Sequence, residues 1–458
     1  PSSLHSLGSQ ATRLLEASRR QIAELLGKSS SEIFFTSGGT EGDNWVLKGV
    51  AFEKVPFGKH IIVSNIEHPA VKESALWLQS QGFEIDFAPV DKAGFVDVDK
   101  LAELIRPDTT LISIMAVNNE IGSIQPIQKI SELLADKPTI SFHVDAVQAV
   151  TKIPIAAYLT DRVDFATFSS HKFHGVRGVG FVYIKSGKKI SPLLTGGGQE
   201  SDKRSTTENL AGIAATAKAL RLSMEKLDFF TSKTGQMKAV IRQALLDYPD
   251  IFVFSDEKDF APHILTFGIK GVRGEVVVHA FEDYDIFIST TSACSSKAGK
   301  PAGTLIAMGV DKDKAQSAVR LSLDLENDMS QVRINSPPNR RIIRKTLSKS
   351  IYEKSKGDIE YLPTAIKRKQ TDQDEVLHDQ QPKMSPLQRK SLLETFLKEK
   401  PNMSKAKNSS IPLKVFKADM ILTNFSPKPH IIETGLQPKV SRYEESELLE
   451  VKSSNTSA

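Results

Sequence analysis

Five polar clusters, each placed directly after a short β-rich run, constrain this chain more than any other feature. SGGTEGDN follows EIFFT, NIEHP follows HIIVS, NNEIG follows TLISIMAV, DAVQ follows ISFHV, and SHK follows DFATFS. Core packing alone gives no reason for polar residues to gather at strand ends. An open α/β sheet does, because ligands bind beyond the carboxyl ends of its strands. Helix-like stretches such as PAVKESALWLQSQ and PIQKISELLADK separate the runs. The alternation predicts a mostly parallel sheet with crossover helices over residues 1–225.

After this region the pattern changes twice. ENLAGIAATAKALRLSMEKLDFF predicts a long helical stretch leading into a smaller α+β domain over 226–335. Its expected elements are a helix at TGQMKAVIRQALLDY, strands at IFVFS and HILTFGIK, a helix at EVVVHAFED, a strand at IFISTTSAC, and a helix and strand ending at SAVRLSL. A last helix is expected from LENDMSQV. Residues 336–458 differ in kind. Lys and Arg outnumber Asp and Glu there by 23 to 15, against 37 to 40 before them, and 25 of the 27 glycines lie upstream. Apolar residues in this basic tail keep no sustained period outside LQRKSLLETFLKEK, so it is expected to be disordered. It reads either as a genuine appendage or as the product of a shifted reading frame.

Composition narrows the function classes. No apolar run approaches the ~20 residues that span a bilayer, and the polar start PSSLHSLGSQ lacks a signal core. One cysteine in 458 residues excludes an intramolecular disulfide and any multi-cysteine metal site. A cytoplasmic protein without a metal centre is the simplest expectation. The tail is mixed in charge and poor in aromatics, so direct nucleic-acid binding is not expected.

Each cluster admits a bland and a chemical reading. Lys172, after Ser169 and His171, is by itself an ordinary surface lysine; with its pKa lowered it could hold an aldehyde cofactor. Asp145 and Gln148 lie about one strand earlier, and a carboxylate against a pyridine nitrogen would make that ring an electron sink. Gly39 and Thr40 belong to a turn opening a helix near Glu41, either a plain connection or a seat for one phosphate. His68 could stack on a flat ring or be structural. Asn119 could donate to a carboxylate or shape a turn. Arg320, in an apolar strand, needs a partner, either an internal acid or a substrate carboxylate. Cys294 sits in the small, polar segment TTSACSSKAGKP with Lys297 nearby to favour thiolate, which makes it a plausible nucleophile.

Taken together, PSSLH, FTSGGTEGDN, EHPAV, NNEIG, HVDAVQ, SSHKFHGVRGVGF, GGGQE with RSTTEN, SACSS and VRLSL resemble, in order, the cysteine desulfurases of the aminotransferase class V superfamily. The likeness runs from Pro1 to about Asp324 and is to the branch supplying sulfur for iron–sulfur clusters and tRNA thiolation. It implies the aspartate aminotransferase-like fold of pyridoxal 5'-phosphate (PLP) enzymes and conversion of L-cysteine to L-alanine. Lys172 would be the Schiff-base lysine, Asp145 the partner of the pyridine nitrogen, Gln148 a contact of the ring hydroxyl, and His68 the stacking group. Gly39, Thr40, Ser169 and His171 would hold the phosphate, with Thr207 contributed across a homodimer interface. Asn119 and Arg320 would grip the substrate carboxylate. Cys294 would take the sulfur as a persulfide on a mobile loop and pass it to an acceptor, an iron–sulfur scaffold or a tRNA-thiolation enzyme. Selenocysteine lyase, another class V lyase, and a catalytically impaired remnant are the alternatives.

Three departures from the family pattern stand out. An N-terminal strand with a DNSATT-like motif, usual ahead of PSSLH, is not in this sequence, so part of the site wall is expected to be missing. Thr206 replaces the glycine of R-S-G-T-E-N, implying strain if that position has a positive φ. KPAGTLIAMG stands where relatives often carry a Ser-His pair.

Overall fold

The computed structural model describes residues 5–256, 258–283, 285–291 and 303–329. Cys294, Lys297 and the whole of 336–458 lie outside them, as do the expectations attached to those residues.

In chain order the first part comprises α1 (Ser6–Leu26), β1 (Ile33–Thr36), α2 (Gly39–Glu53), β2 (His60–Ser64), α3 (Pro69–Ser80), β3 (Glu84–Ala88), α4 (Val98–Leu104), β4 (Thr109–Met115), α5 (Ile127–Leu133), β5 (Ser141–Asp145), β6 (Phe165–Ser169) and β7 (Gly180–Ile184). Their strands make a seven-stranded sheet in the order β1-β7-β6-β5-β4-β2-β3. The pairings of β3, β2, β4, β5 and β6 are parallel, while β7 runs antiparallel to both β6 and β1. The central strands β2, β4, β5 and β6 are buried along their whole length. Helices on both faces therefore cover near-continuous apolar runs rather than alternating ones. One apolar layer packs Phe142, Val144 and Phe168 under α1 and α5; the other packs Trp45, Val63 and Leu111 under α2 and α3.

The expected strands of this sheet all form. β3 was not foreseen: EIDFA is short, polar at alternate positions and at the sheet edge, so its apolar signal is weak.

The second part comprises α6 (Leu210–Met224), α7 (Leu227–Leu246), β8 (Ile251–Val253), β9 (Ile264–Ile269), α8 (Gly274–Glu282), β10 (Ser289–Thr290), α9 (Gly303–Ala307), α10 (Lys312–Gln316) and β11 (Ala318–Ser322). An antiparallel sheet ordered β10-β11-β9-β8 packs Leu265, Phe267 and Val319 against Met237 and Ile241 of α7 and Val277 of α8. The long helical stretch breaks at Glu225–Lys226 into α6 and α7. Among the described residues the strand expected at IFISTTSAC is confined to Ser289–Thr290, and 325–329 form turns where a helix was expected.

One buried ion pair fastens the GGGQE segment to the sheet. Arg19 of α1 meets Glu200 with both forks, at 2.7 and 2.8 Å, and Glu200 also accepts the Phe35 amide of β1 at 2.8 Å. Such a bidentate pair is directional as well as charged.

Among the described non-glycine residues with positive φ, the β-branched one is Thr151, six residues past β5, with φ of 62°. A β-branched residue in the left-handed region costs about 1–3 kcal/mol. Its hydroxyl is also buried, with no partner among the described residues. Thr151→Gly is therefore expected to stabilise the protein by about 1 kcal/mol net of glycine's chain entropy, read as a higher Tm in a thermal melt. A lower Tm would show that the strain is absorbed elsewhere.

Candidate functional site

The site grows from the tips of β5 and β6, where three polar turns meet around a residue without a side chain. A Cβ added to Gly39 would lie 2.8 Å from Val147 Cγ2 and 3.4 Å from Ser169 Cβ. Glycine at this position therefore lets the start of α2 rest on both the DAVQ and SHK turns. The Thr36 hydroxyl donates to Gly38 O at 3.0 Å and shapes the turn. α2 has 15 residues and no side chain capping its N-terminus, so amides of its first turn remain available to an anion. Thr40 is exposed at that end. Ser169, buried, places its hydroxyl 3.0 Å from His171 Nδ1. Partial burial, then the charges of Lys172 and Arg177, pull the His171 pKa below its ordinary value.

An ion pair not foreseen from sequence braces this turn. Arg204 grips Glu41 with two bonds of 2.6 and 2.8 Å, and Glu41 also accepts the Ser37 amide at 2.7 Å. Burial would raise the Glu41 pKa, but Arg204 and Ser37 hold it below the usual carboxylate range. The pair draws the RSTTEN segment to α2. Thr206 and Thr207 line a cavity of about 140 Å³ together with Ser37, Gly178 and Arg204. Thr206 has no positive φ, so the strain anticipated for a β-branched residue in place of glycine does not arise. The two residues stand 163 positions apart, so nothing local in the sequence marks the pairing.

Behind the turn lie the candidate ring contacts. Asp145 ends β5 and is 5% exposed, its Oδ1 accepting the Val147 amide at 2.9 Å. Burial raises its pKa, while the Val147 amide, His68 and Lys172 oppose that rise. His68 caps α3, its Nδ1 accepting the Ala70 amide at 3.1 Å. Burial lowers the His68 pKa and Asp145 counters this, so the imidazole and the carboxylate act on one another across the site. Lys172 sits half-buried in a short 3-10 turn after β6, close enough to affect Asp145, His68 and His171. Gln148 is half-buried beside Val147.

The candidate substrate grip also comes together. Arg320 on β11 donates through Nη1 to Asn119 O at 2.6 Å. Its contact there is the asparagine's backbone, not its amide side chain. The neighbouring Asn118, which sequence did not single out, organises the loop. Fully buried, it donates to Ile66 O of the EHP turn at 3.0 Å and to Thr304 Oγ1 of α9 at 3.2 Å. Its Oδ1 accepts the Glu120 and Ile121 amides, both at 2.9 Å. The NN pair was legible, but not which of the two faces inward. Among the described residues no His/Cys/Asp/Glu group is arranged to hold a metal ion.

Comparisons with known proteins identify the relatives of this chain. The family model described as aminotransferase class V matches residues 1–334. A NifS/IcsS protein homolog from Lactobacillus delbrueckii subsp. bulgaricus is 53% identical over 332 residues, covering 72% of this chain and 86% of that protein. Cysteine desulfurase IscS from Dictyoglomus turgidum is 40% identical over 354 residues, covering 77% and 89%. A solved NifS-like protein superposes with a TM-score of 0.70 at 36% identity, covering 76% of this chain and 91% of the other. With its PLP-type fold and its strand-end clusters in the expected order, the chain belongs to the aminotransferase class V family, alongside the cysteine desulfurases.

Proposed function

We propose that this protein is a PLP-dependent cysteine desulfurase that converts L-cysteine to L-alanine and takes the sulfur onto Cys294. The observation that carries the reading is the mutual influence of Lys172, Asp145 and His68 at the tips of β5 and β6, beside an uncapped helix start. These residues fit the cofactor. Asp145 offers a buried carboxylate for a ring nitrogen, and Gly39 leaves room where a side chain would collide. The α2 amides, with Thr40, Ser169, His171 and Thr207, provide donors for a phosphate.

When bound, PLP supplies an electron sink for the bond-making and bond-breaking at the substrate. The chain's own groups do the rest. Lys172 would hold the cofactor's aldehyde, and its Nζ would serve as the group that accepts and returns a proton at the substrate. Asp145 would keep a proton on the ring nitrogen, Gln148 would meet the ring hydroxyl, and His68 would stack on the ring. Arg320, steadied by the Asn119 carbonyl, receives the substrate carboxylate with its fork. The Cys294 thiolate forms a bond to the substrate sulfur as the substrate's carbon–sulfur bond breaks. The electron pair stays on the carbon side, which is protonated and leaves as alanine. The enzyme retains a persulfide.

The finer parts of the proposal are a homodimer, a cytoplasmic address, and an acceptor that is either an iron–sulfur scaffold or a tRNA-thiolation enzyme. They rest on the resemblance in sequence. Among the described residues no helix is long and apolar enough to cross a membrane. The division at residues 225 and 335 into a cofactor-binding and a smaller domain is likewise part of this reading, supported by the change from a mostly parallel to an antiparallel sheet.

Lys172→Ala should purify without the visible PLP absorption of the parent, and Cys294→Ala should keep that absorption while losing persulfide and sulfide release from L-cysteine. Sulfide release at the parental rate by Cys294→Ala would remove it as the nucleophile. Arg204→Ala, which frees Glu41 and loosens the α2 turn, should weaken PLP binding about tenfold, equivalent to ~1.4 kcal/mol, in an equilibrium titration.

A further inference from the structure

Three carboxyl groups occupy one sealed layer at the site. Asp145 ends β5, Asp43 lies in the first turns of α2, and Glu67 directly precedes His68; they are 5%, 1% and 7% exposed. α2 lies so close to the sheet that a Cβ on Gly42 would fall 2.6 Å from Thr167 Cγ2. Asp43 is thereby shut off from water. Three negative charges in such an interior would repel one another and lack solvation.

Their hydrogen bonds separate them. Asp145 accepts a backbone amide, and His68 and Lys172 both act to lower its pKa. Glu67 Oε1 accepts the Met115 amide at 2.8 Å and the Ser64 hydroxyl, pinning the EHP turn to the end of β4. Its Oε2 is buried with no partner among the described residues, and so is Asp43 Oδ1. The polar atom facing Asp43 Oδ1 is His143 Nε2, 3.7 Å away and outside hydrogen-bond reach. His143 is itself fully buried, with both ring nitrogens engaged by Ser113 Oγ at 2.8 Å and Thr167 Oγ1 at 3.0 Å. Burial pushes its pKa down to about 3, so it supplies no countercharge. An ionised carboxylate in either place would carry the full desolvation cost of its charge with no countercharge at the orphaned oxygen, and a neutral acid is far cheaper to bury.

We infer that Asp43 and Glu67 are held as neutral acids near Asp145, positioning residues that leave Asp145 the single carboxylate of the three able to keep the cofactor's ring nitrogen protonated. The inference rests on the PLP reading above. Ionised neighbours would raise the affinity of Asp145 for its own proton and draw it away from the ring. Neutral ones leave its charge intact and still fix the α2 helix and the His68 turn. The directions agree: burial followed by the charge of Asp145 drives the Asp43 pKa well up, and burial drives that of Glu67 up to about 8. The titratable groups acting on this pair are each other, Asp145 at the end of β5 and, for Asp43, His143 of β5; His68 and Lys172 act on Asp145.

Infrared spectroscopy of the PLP-loaded full chain tests this without relying on turnover. Near neutral pH, a protonated-carboxyl stretch that shifts on exchange into heavy water is expected. Part of it should vanish in Asp43→Asn, the remainder in Glu67→Gln, and none in Asp145→Asn. In the unaltered protein the Glu67 share should bleach as pH rises through about 8, a readout that needs no variant to fold. The visible PLP band of Asp43→Asn and Glu67→Gln should titrate with a proton-binding constant within about twofold of the parent, and that of Asp145→Asn should move by about tenfold or more. Absence of a protonated-carboxyl band, its loss in Asp145→Asn alone, or a tenfold shift of the PLP titration in either neutral variant would overturn the inference. A chain that takes up no PLP, or forms no alanine from L-cysteine, would instead defeat the functional reading, while the infrared bands would still report on Asp43 and Glu67.

Discussion

The parallel register of β2, β4, β5 and β6 is the constraint on which the rest of the molecule depends. Because these strands run the same way, their carboxyl ends open on one edge of the sheet, and every connection must cross back along a face. Residues distant in sequence are thereby delivered to one place. Asp145 stands beside Met115 on one flank and Thr167 on the other, and Lys172 follows five residues past Thr167. No local preference of these residues would bring them together.

The second requirement is close approach of α2 to that edge. Gly39 and Gly42 allow it, since side chains there would strike Val147, Ser169 and Thr167. The approach has two consequences. It aims helix amides at the space between the turns, where the macrodipole favours an anion. It also closes the interior over Asp43, His143 and Asp145, lowering the local dielectric in which each charge is felt. Binding geometry and charge state are therefore set by the same packing.

Much of the fold and many of the site candidates were legible in the primary structure. Continuous apolar runs ending in polar clusters marked the buried strands, and the placement of Lys172, Asp145 and His68 at strand ends followed from the alternation. What escaped has common physical causes. β3 is a weakly apolar edge strand. The break between α6 and α7 falls at Glu225–Lys226, where no proline or glycine marks it. Arg204 and Glu41 pair across most of the chain, and Asn118 rather than Asn119 turns inward because the loop after β4 closes on its side-chain carbonyl. The anticipated penalty at Thr206 was misplaced: the left-handed β-branched residue is Thr151.

Periodicity and motif order were enough to determine that this chain builds an α/β scaffold of the class V kind, and which residue types stand where its strands end, because those properties depend on near neighbours along the chain. The tertiary structure alone decided which polar atoms receive a partner and which are sealed without one. Whether Asp43, Glu67 and Asp145 carry charge is set by burial and by groups from β2, β4, the turn after β5, β6 and the turn after it acting together. Solvation and Coulomb energy depend on distances in space, and the distances that matter here join residues scattered from Asp43 to Lys172.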